Sequence, residues 1–417
     1  MDKNYTLDKE LINCIRFFLD YTNFDINSKG YGGTLDHTSN PECCSIAASG
    51  FMLVSLVCAT KHNLLSFEEA KYRVYSTLKN IYENTEHHKG LLVHFVKYDE
   101  GRRHRKCEFS TIDTSLFLAG AIVCDAYFKD TSITDYVTKL FNRIDWNYYI
   151  TTYKDKKVLR MAYNDYNHNT HKEYSSEEDG FIYQWHMYAE QLLIYLLMGS
   201  DDNVSKQDIL DIFNGFRRDT KDFEDKKFVR CPTGSLFTYQ FTHCFFDFRK
   251  YLDCNGYDWF ENSRLACLDN YHFCQKLTFF KTFEQGLWGV SASDGPSGYE
   301  GYGIPPYDYD ERLNMSLKHI DGTVSMYSII GSLPFIEDIV LTTLDKINKQ
   351  YSEIIGDYGY KDSLNLDRNW YSHRFYGIDK GASMVAIENY QSGLIWNLFT
   401  NHPLLQKSIE KLDFRRR

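Results

Sequence analysis

Ser45–Thr60 reads SIAASGFMLVSLVCAT, a run with no charged residue and no polar face. A helix over Cys44–Lys61 with that content is apolar almost all round, so it must be covered on every side. Ser110–Phe128, STIDTSLFLAGAIVCDAYF, repeats the pattern, and Gly180–Met198 is a third mostly apolar helix. Between these runs lie amphipathic helices. Asp8–Tyr21 puts Leu11, Ile12, Ile15, Phe18 and Leu19 on one face. Ser66–Glu83 opens on Ser66 with Glu69 three residues on, a capping box, and Ser132–Trp146 follows the second apolar run. The chain therefore alternates outer, inner, outer, inner.

Working outward, the same reading places helices at Ser205–Phe216, Ser235–Phe248, Trp259–Phe280, Thr323–Leu333, Pro334–Lys349 and Ser383–Thr400, twelve in all. Six hairpins with the apolar member inside predict an all-α (α/α)6 toroid, one domain over residues 1–417. Small β-hairpin excursions are expected in the loops, at Leu91–Arg103 and Thr151–Glu178. The alternation is clean through the sixth helix and weaker afterwards. A generic helical bundle or a solenoid is the alternative, and no sequence repeat supports a solenoid.

A length of 417 residues would by itself suggest two or three domains, and the toroid replaces that expectation with one. The 16% aromatic content, with 33 Tyr and 29 Phe, suits either a large core or a ring-lined cleft. A net charge of −10 argues against a nucleic-acid or anionic-membrane partner, and the basic run Arg415–Arg417 is too short to change that. Eleven cysteines, an odd number with no CxxC, read as free thiols of a reducing compartment. MDKNYTLDKELINC shows no signal peptide and no run of 18 apolar residues occurs. A cytoplasmic protein is expected, with a periplasmic or secreted one whose signal has been removed left open. A monomer or weak oligomer is expected.

Gly234–Cys274 crowds His243, Asp247, Arg249, Asp253, Asp258, Glu261, Asn262 and Arg264 among Phe, Tyr and Trp. Rings stack on a pyranose and carboxylates, Asn and Arg bind its hydroxyls, so this stretch fits a sugar cleft. A helix pair at a seam with satisfied polar contacts fits as well. In a toroid, the loops before the inner helices carry the chemistry. Asp113 stands there, three residues after Ser110, where it could equally be a capping residue. Glu190, in YQWHMYAEQLLIYLLM, has Trp185, Tyr188, Leu192 and Leu193 about it; an apolar setting raises a carboxyl's pKa, which suits a general acid. Asp379, flanked by Gly377 and Gly381, is a candidate base, or an Asp holding its own loop, and Glu388 competes with it. The long Gly/Pro loop Trp288–Thr323 is of the kind that is usually functional. No metal and no cofactor are expected: His168 and His171 lack a third ligand, and GxSxG, Walker and GxGxxG motifs are absent.

FTHCFFDFR, GYDWFENS, LWGVSASDGPSGYEGYG, DGT, GSLPF, DYGYKDSLN and YGIDKGASMVAIENYQSGLIW occur in that order. Together with SIAASGF, GLLVHFVKYDEGRR and STIDTSLFLAGA they resemble the glycoamylase-like domain of bacterial endo-β-1,2-glucanases, glycoside hydrolase family 144. The resemblance implies an (α/α)6 barrel that cleaves β-1,2-linked glucan or sophoro-oligosaccharides, by inversion and without a cofactor. It implies Glu190 as proton donor, Asp379 as base and Asp113 as a third acid. Acid and base can act through water or a substrate hydroxyl. The expected sugar contacts are Trp185, Tyr188, His243, Asp247, Arg249, Glu261, Asn262, Arg264, Trp288, Asp294, Tyr299 and Glu388. Cys244-Phe245, the run Val324–Ser328 and the missing secretion signal depart from the pattern. A β-1,2-glucan transglycosylase and a catalytically inactive glycan-binding protein are the alternatives. Endo or exo action depends on the loops Gly286–Asp321 and Thr151–Glu178.

Overall fold

The computed structural model describes residues 5–307, 317 and 319–417. The helices run in the order α1 (Leu7–Asp20), α2 (Ile46–Lys61), α3 (Phe67–Asn84), α4 (Thr111–Phe128), α5 (Thr131–Asn142), α6 (Leu192–Ser200), α7 (Lys206–Gly215) and α8 (Phe241–Phe245). Then come α9 (Trp259–Lys276), the single turn α10 (Lys281–Glu284), α11 (Met326–Gly331), α12 (Glu337–Gln350) and α13 (Gly377–Ser392). The inner ring is α2, α4, α6, α8, α11 and α13. α1 packs on both α2 and α13, which closes the helical toroid. α14 (Leu394–Thr400) packs against α4, α8 and α13, and α15 (Pro403–Lys411) against α6.

The apolar runs sit where their composition requires. Ile46 to Ala59 of α2 is buried throughout, as is most of α4. α4 is long and apolar enough to cross a membrane, but 78% of it is covered within the fold. Its polar start is capped by Ser110, whose Oγ accepts the Asp113 N–H at 3.3 Å. α2 and α4 cross at two glycines. A Cβ on Gly120 would lie 2.1 Å from the Gly50 carbonyl oxygen, and one on Gly50 would lie 2.5 Å from the Leu116 oxygen. No flexible side chain stands there to yield. Gly120→Ala is therefore expected to destabilise the protein by about 1–3 kcal/mol through overpacking. Chemical denaturation should show a lower midpoint, and an unchanged midpoint would mean the helices do not touch at this crossing.

Three helices differ from the sequence reading. Gly180–Met198 is not one helix: Phe181–Gln184 is a strand paired with Lys156–Tyr163, and α6 starts only at Leu192. Gln191 explains the loop between them. Its Oε1 accepts the Ala189 N–H at 2.6 Å and its Nε2 donates to the Met187 carbonyl at 2.8 Å, satisfying backbone groups that a helix would have paired. Ser235–Phe248 breaks into a 3-10 turn, Leu236–Tyr239, and the short α8. The last inner helix begins at Gly377 rather than Ser383, and Gly393, at φ +66°, ends it and starts α14. The hairpin expected in Thr151–Glu178 is there, as strands Ile150–Tyr153 and Lys156–Tyr163.

Candidate active site

The segments entering the inner helices converge on one mouth and bring acids with them. Asp113, in the first turn of α4, is buried; its Oδ2 accepts the Ser110 hydroxyl at 2.5 Å and its Oδ1 lies 3.4 Å from His94 Nε2. The other ring nitrogen of His94 is 2.7 Å from Glu108. Burial opposes a charge on His94, but Asp113, Glu108 and Asp36 outweigh it and hold its pKa at about 9. The imidazolium thus sits among carboxylates. Asp36, in the segment before α2, is pushed up to about 6 by burial, against the pull of His94 and with a push from Asp113.

Glu190 stands in the loop that Gln191 holds, two residues before α6. Burial raises its carboxyl to about 7; its own backbone N–H opposes the shift and the Asp113 charge adds to it. The shift favours the protonated form of this group. Asp379, in the first turn of α13, is 4% exposed. Burial, then the charge of Asp362 and a hydrogen bond with it, push its carboxyl well above the usual range. Asp362 is itself raised by burial, and its Oδ2 accepts the Asp294 N–H at 2.6 Å.

These interactions link Glu190, Asp113, Asp36, Asp379, Asp362 and Asp294 in one string. Asp294 is fixed within it, by Arg374 Nη1 at 2.8 Å and the Ser372 hydroxyl at 2.7 Å. Tyr299 lies over the end of the string. Its ring is 51% exposed and 5.4 Å from that of Tyr376, while Asp379 and Asp362 lie near enough to its hydroxyl to help burial raise its pKa. The structure therefore brings Glu190, Asp113, Asp379, Asp294 and Tyr299 together.

Most of the other expected sugar contacts are packed elsewhere. Trp185 is buried and donates its Nε1–H to Thr111 Oγ1 at 3.0 Å, bracing the start of α4 from below the mouth. Tyr188 stacks on Trp259 at 5.1 Å and 12°. His243 Nε2 pairs with the Ser263 hydroxyl at 2.9 Å, and burial lowers its pKa to about 3, so it is neutral. Asp247 is tied to Arg249 at 2.7 Å, and Arg249 lies 3.9 Å over the Trp396 ring. Glu261 is bound by Arg264 at 2.7 Å and by Lys226 at 2.8 Å. Asn262 holds both the N–H and the carbonyl of Val229, at 2.6 and 3.1 Å. Trp288 is fully buried and donates to Thr343 at 2.9 Å. The polar groups of Gly234–Cys274 named here thus each have a partner within the protein. Glu388 is buried with Lys61 and His62, nine residues and about 13 Å along α13 from Asp379, so it does not compete for its role.

Asp36, His94, Asp362, Arg374 and Tyr376 were not singled out from the sequence. The rule that loops before inner helices carry the acids points to Asp36 and Asp362, and KDSLN was among the resembling motifs. His94 lies in GLLVHFVKYDEGRR, another of the resembling motifs. Residues 308–316 and 318, part of the loop expected to bear on endo or exo action, lie outside the described residues.

The Glycoamylase family model, described as "Putative glucoamylase", matches residues 182–403. A curated protein of Parabacteroides distasonis, named exo beta-1,2-glucooligosaccharide sophorohydrolase (non-reducing end), is 23% identical over 406 residues, covering 88% of this chain and 52% of that one. The chain spans about half the length of that curated relative. A crystal structure of a "putative glucoamylase" from Bacteroides uniformis superposes with a TM-score of 0.83 at 21% identity, covering 100% of this chain and 99% of that one. The endo-beta-1,2-glucanase of Chitinophaga pinensis, in complex with sophorotriose and glucose, gives a TM-score of 0.80 at 20% identity, covering 99% of each chain. Identities this low establish the common fold.

Proposed function

The chain belongs to the glycoamylase family, and from that membership we propose that it hydrolyses β-1,2-linked glucan or sophoro-oligosaccharides. The observation that carries the reading is the string of carboxyls, with Glu190 raised to about 7 by burial. Two relatives are named for work on the β-1,2 linkage, and the substrate is taken from them. The glucosidic oxygen binds against Glu190, and the half-exposed Tyr299 ring offers a face to a sugar.

Glu190 gives its proton to the leaving oxygen as the C1–O bond breaks. On the other side a water attacks C1 and passes its proton to Asp379, directly or through a hydroxyl. The anomeric carbon inverts. Asp113, held by Ser110 and His94, lies close enough to Glu190 for a charge on it to favour the protonated form of the acid. The eleven cysteines are all unpaired, which supports a reducing compartment.

The pH dependence follows in sign. Above about 7 Glu190 loses its proton and the acid fails. At low pH the Asp362–Asp379 pair fills with protons and the base fails; burial raises both carboxyls, so that limb lies above the ordinary carboxylate range. A narrow bell in kcat/KM is expected, its alkaline limb near 7. A rate still rising at pH 9 would contradict this assignment of the acid. The activity itself is tested by incubation with linear β-1,2-, β-1,3- and β-1,4-glucans and sophoro-oligosaccharides, with products read by chromatography. Shorter sophoro-oligosaccharides from the β-1,2 substrates alone are expected. Products longer than the substrate would make the protein a transglycosylase, and no products from any substrate would sink the reading.

A further inference from the structure

The site holds two carboxyls in contact, and the one cation among the described residues that acts on them, Lys380, only partly offsets the push of burial and of their mutual charge. Asp362 and Asp379 are each 4% exposed. Among the described residues, Asp362 Oδ1 and Asp379 Oδ2 are buried with no hydrogen-bond donor. Both belong to a pair that is hydrogen-bonded to each other. Two carboxylates supply only acceptors, so such a bond requires a proton between them.

The surroundings supply no substitute for that proton. Lys380, next in sequence to Asp379, is committed to Glu10 on α1 and to the Tyr360 carbonyl. Arg374 is committed to Asp294. Ser372 donates to Asp294, and the Tyr327 hydroxyl to the Ala292 carbonyl at 2.8 Å. The remaining titratable groups that face the pair are Asp36, Asp294, Tyr299 and Tyr376, acids or phenols that add negative charge if they ionise. Like charges in contact in a low-dielectric site cannot both persist.

We propose that Asp362 and Asp379 share one proton and act as a unit, with Asp362 the positioning residue that holds Asp379 for the water. The second half rests on the hydrolase reading; the shared proton does not. In the reaction the water O–H bond breaks and its proton joins the pair, which goes from one proton to two. The oxygen left behind bonds C1, the C1–O bond to the leaving sugar breaks, and that oxygen takes the proton of Glu190. Release of one proton to solvent and reprotonation of Glu190 restore the start. Asp362 touches no reacting atom and works by moving the shared proton toward itself as Asp379 takes up the new one.

The test is infrared difference spectroscopy of the whole protein at neutral pH, wild type minus D362N and wild type minus D379N, in H2O and D2O. One protonated-carboxyl C=O band, shifted in D2O, is expected to be lost in both variants; the Glu190 contribution cancels in the subtraction. In either variant an amide N–H replaces the shared proton and leaves one ionised carboxylate. A band that persists in both, or is lost in only one, overturns the shared proton. Should either Asn variant fail to fold, D362S or D379S takes its place, so that both arms of the comparison are read. With a β-1,2 substrate, D362N should also move the acid limb of kcat/KM to lower pH by about one unit or more, because the amide favours the charged form of Asp379. An unmoved limb overturns the positioning role. If no glucan is turned over the function fails, and the spectrum still decides the pair.

Discussion

Glu190→Gln loses about 100- to 10,000-fold in kcat on β-1,2-linked substrates, the range that one general acid contributes. Glutamine keeps the shape and the hydrogen-bonding oxygen of the protonated acid but has no proton to give to the leaving oxygen. KM should change little. The loss should be largest for poor leaving groups and small for an activated aryl glycoside, whose leaving oxygen needs no proton. The variant should fold normally, and at pH 8 it should be at least as stable as wild type. The sign follows from linkage. Burial raises the Glu190 pKa to about 7 in the folded protein, so ionising it above that pH disfavours the folded state, and the neutral amide removes the penalty. Steady-state kinetics with both substrate types measure this, and a variant within a few-fold of wild type on sophoro-oligosaccharides would remove Glu190 from the role.

Lys380→Met has the largest expected effect on stability. Glu10 is 1% exposed on α1, and it accepts the Tyr5 hydroxyl at 2.6 Å, the Tyr360 N–H at 2.9 Å and the Lys380 ammonium from α13. The pair joins the first outer helix to the last inner helix, where the toroid closes. Removing the cation leaves a buried carboxylate unpaired, which costs about 3–5 kcal/mol. Replacing both partners, as in E10Q/K380M, should recover much of the loss, because the charge goes with its partner. Denaturant midpoints for the two single variants and the double decide this. A Lys380→Met midpoint within error of wild type would show that the closure does not depend on the pair.

The ring of helices was legible because its signal is composition over long windows. α2 and α4 have no polar face, and a chain that alternates such helices with amphipathic ones has few other ways to bury them. Where helices are short the signal failed. α8 is one turn and a half, and the loop before α6 is held by the side chain of Gln191, a contact that no periodicity encodes. Asp113 and Asp379 were picked out by position, close to the start of an inner helix, and Glu190 by the apolar residues about it, although the sequence reading set it inside a helix. For Gly234–Cys274 the sequence left cleft and seam open, because composition does not reveal pairing. Its charges meet partners within or beside the stretch, such as Asp247 with Arg249 and Glu261 with Arg264, and a satisfied seam reads like an open cleft. Asp362 and His94 matter through neighbours brought from 17 and 19 residues away, Asp379 and Asp113, and only folded geometry joins them.

The central claim is that the carboxyl string is where the sugar is cut. A crystal structure of the Glu190→Gln protein with a bound sophoro-oligosaccharide tests it most directly. The account predicts a glucosidic oxygen within hydrogen-bond distance of the residue 190 side chain, with Tyr299 against a sugar ring and the Asp362–Asp379 pair on the opposite side of the anomeric carbon. An oligosaccharide bound along Gly234–Cys274, or anywhere that leaves residue 190 out of contact, would contradict it.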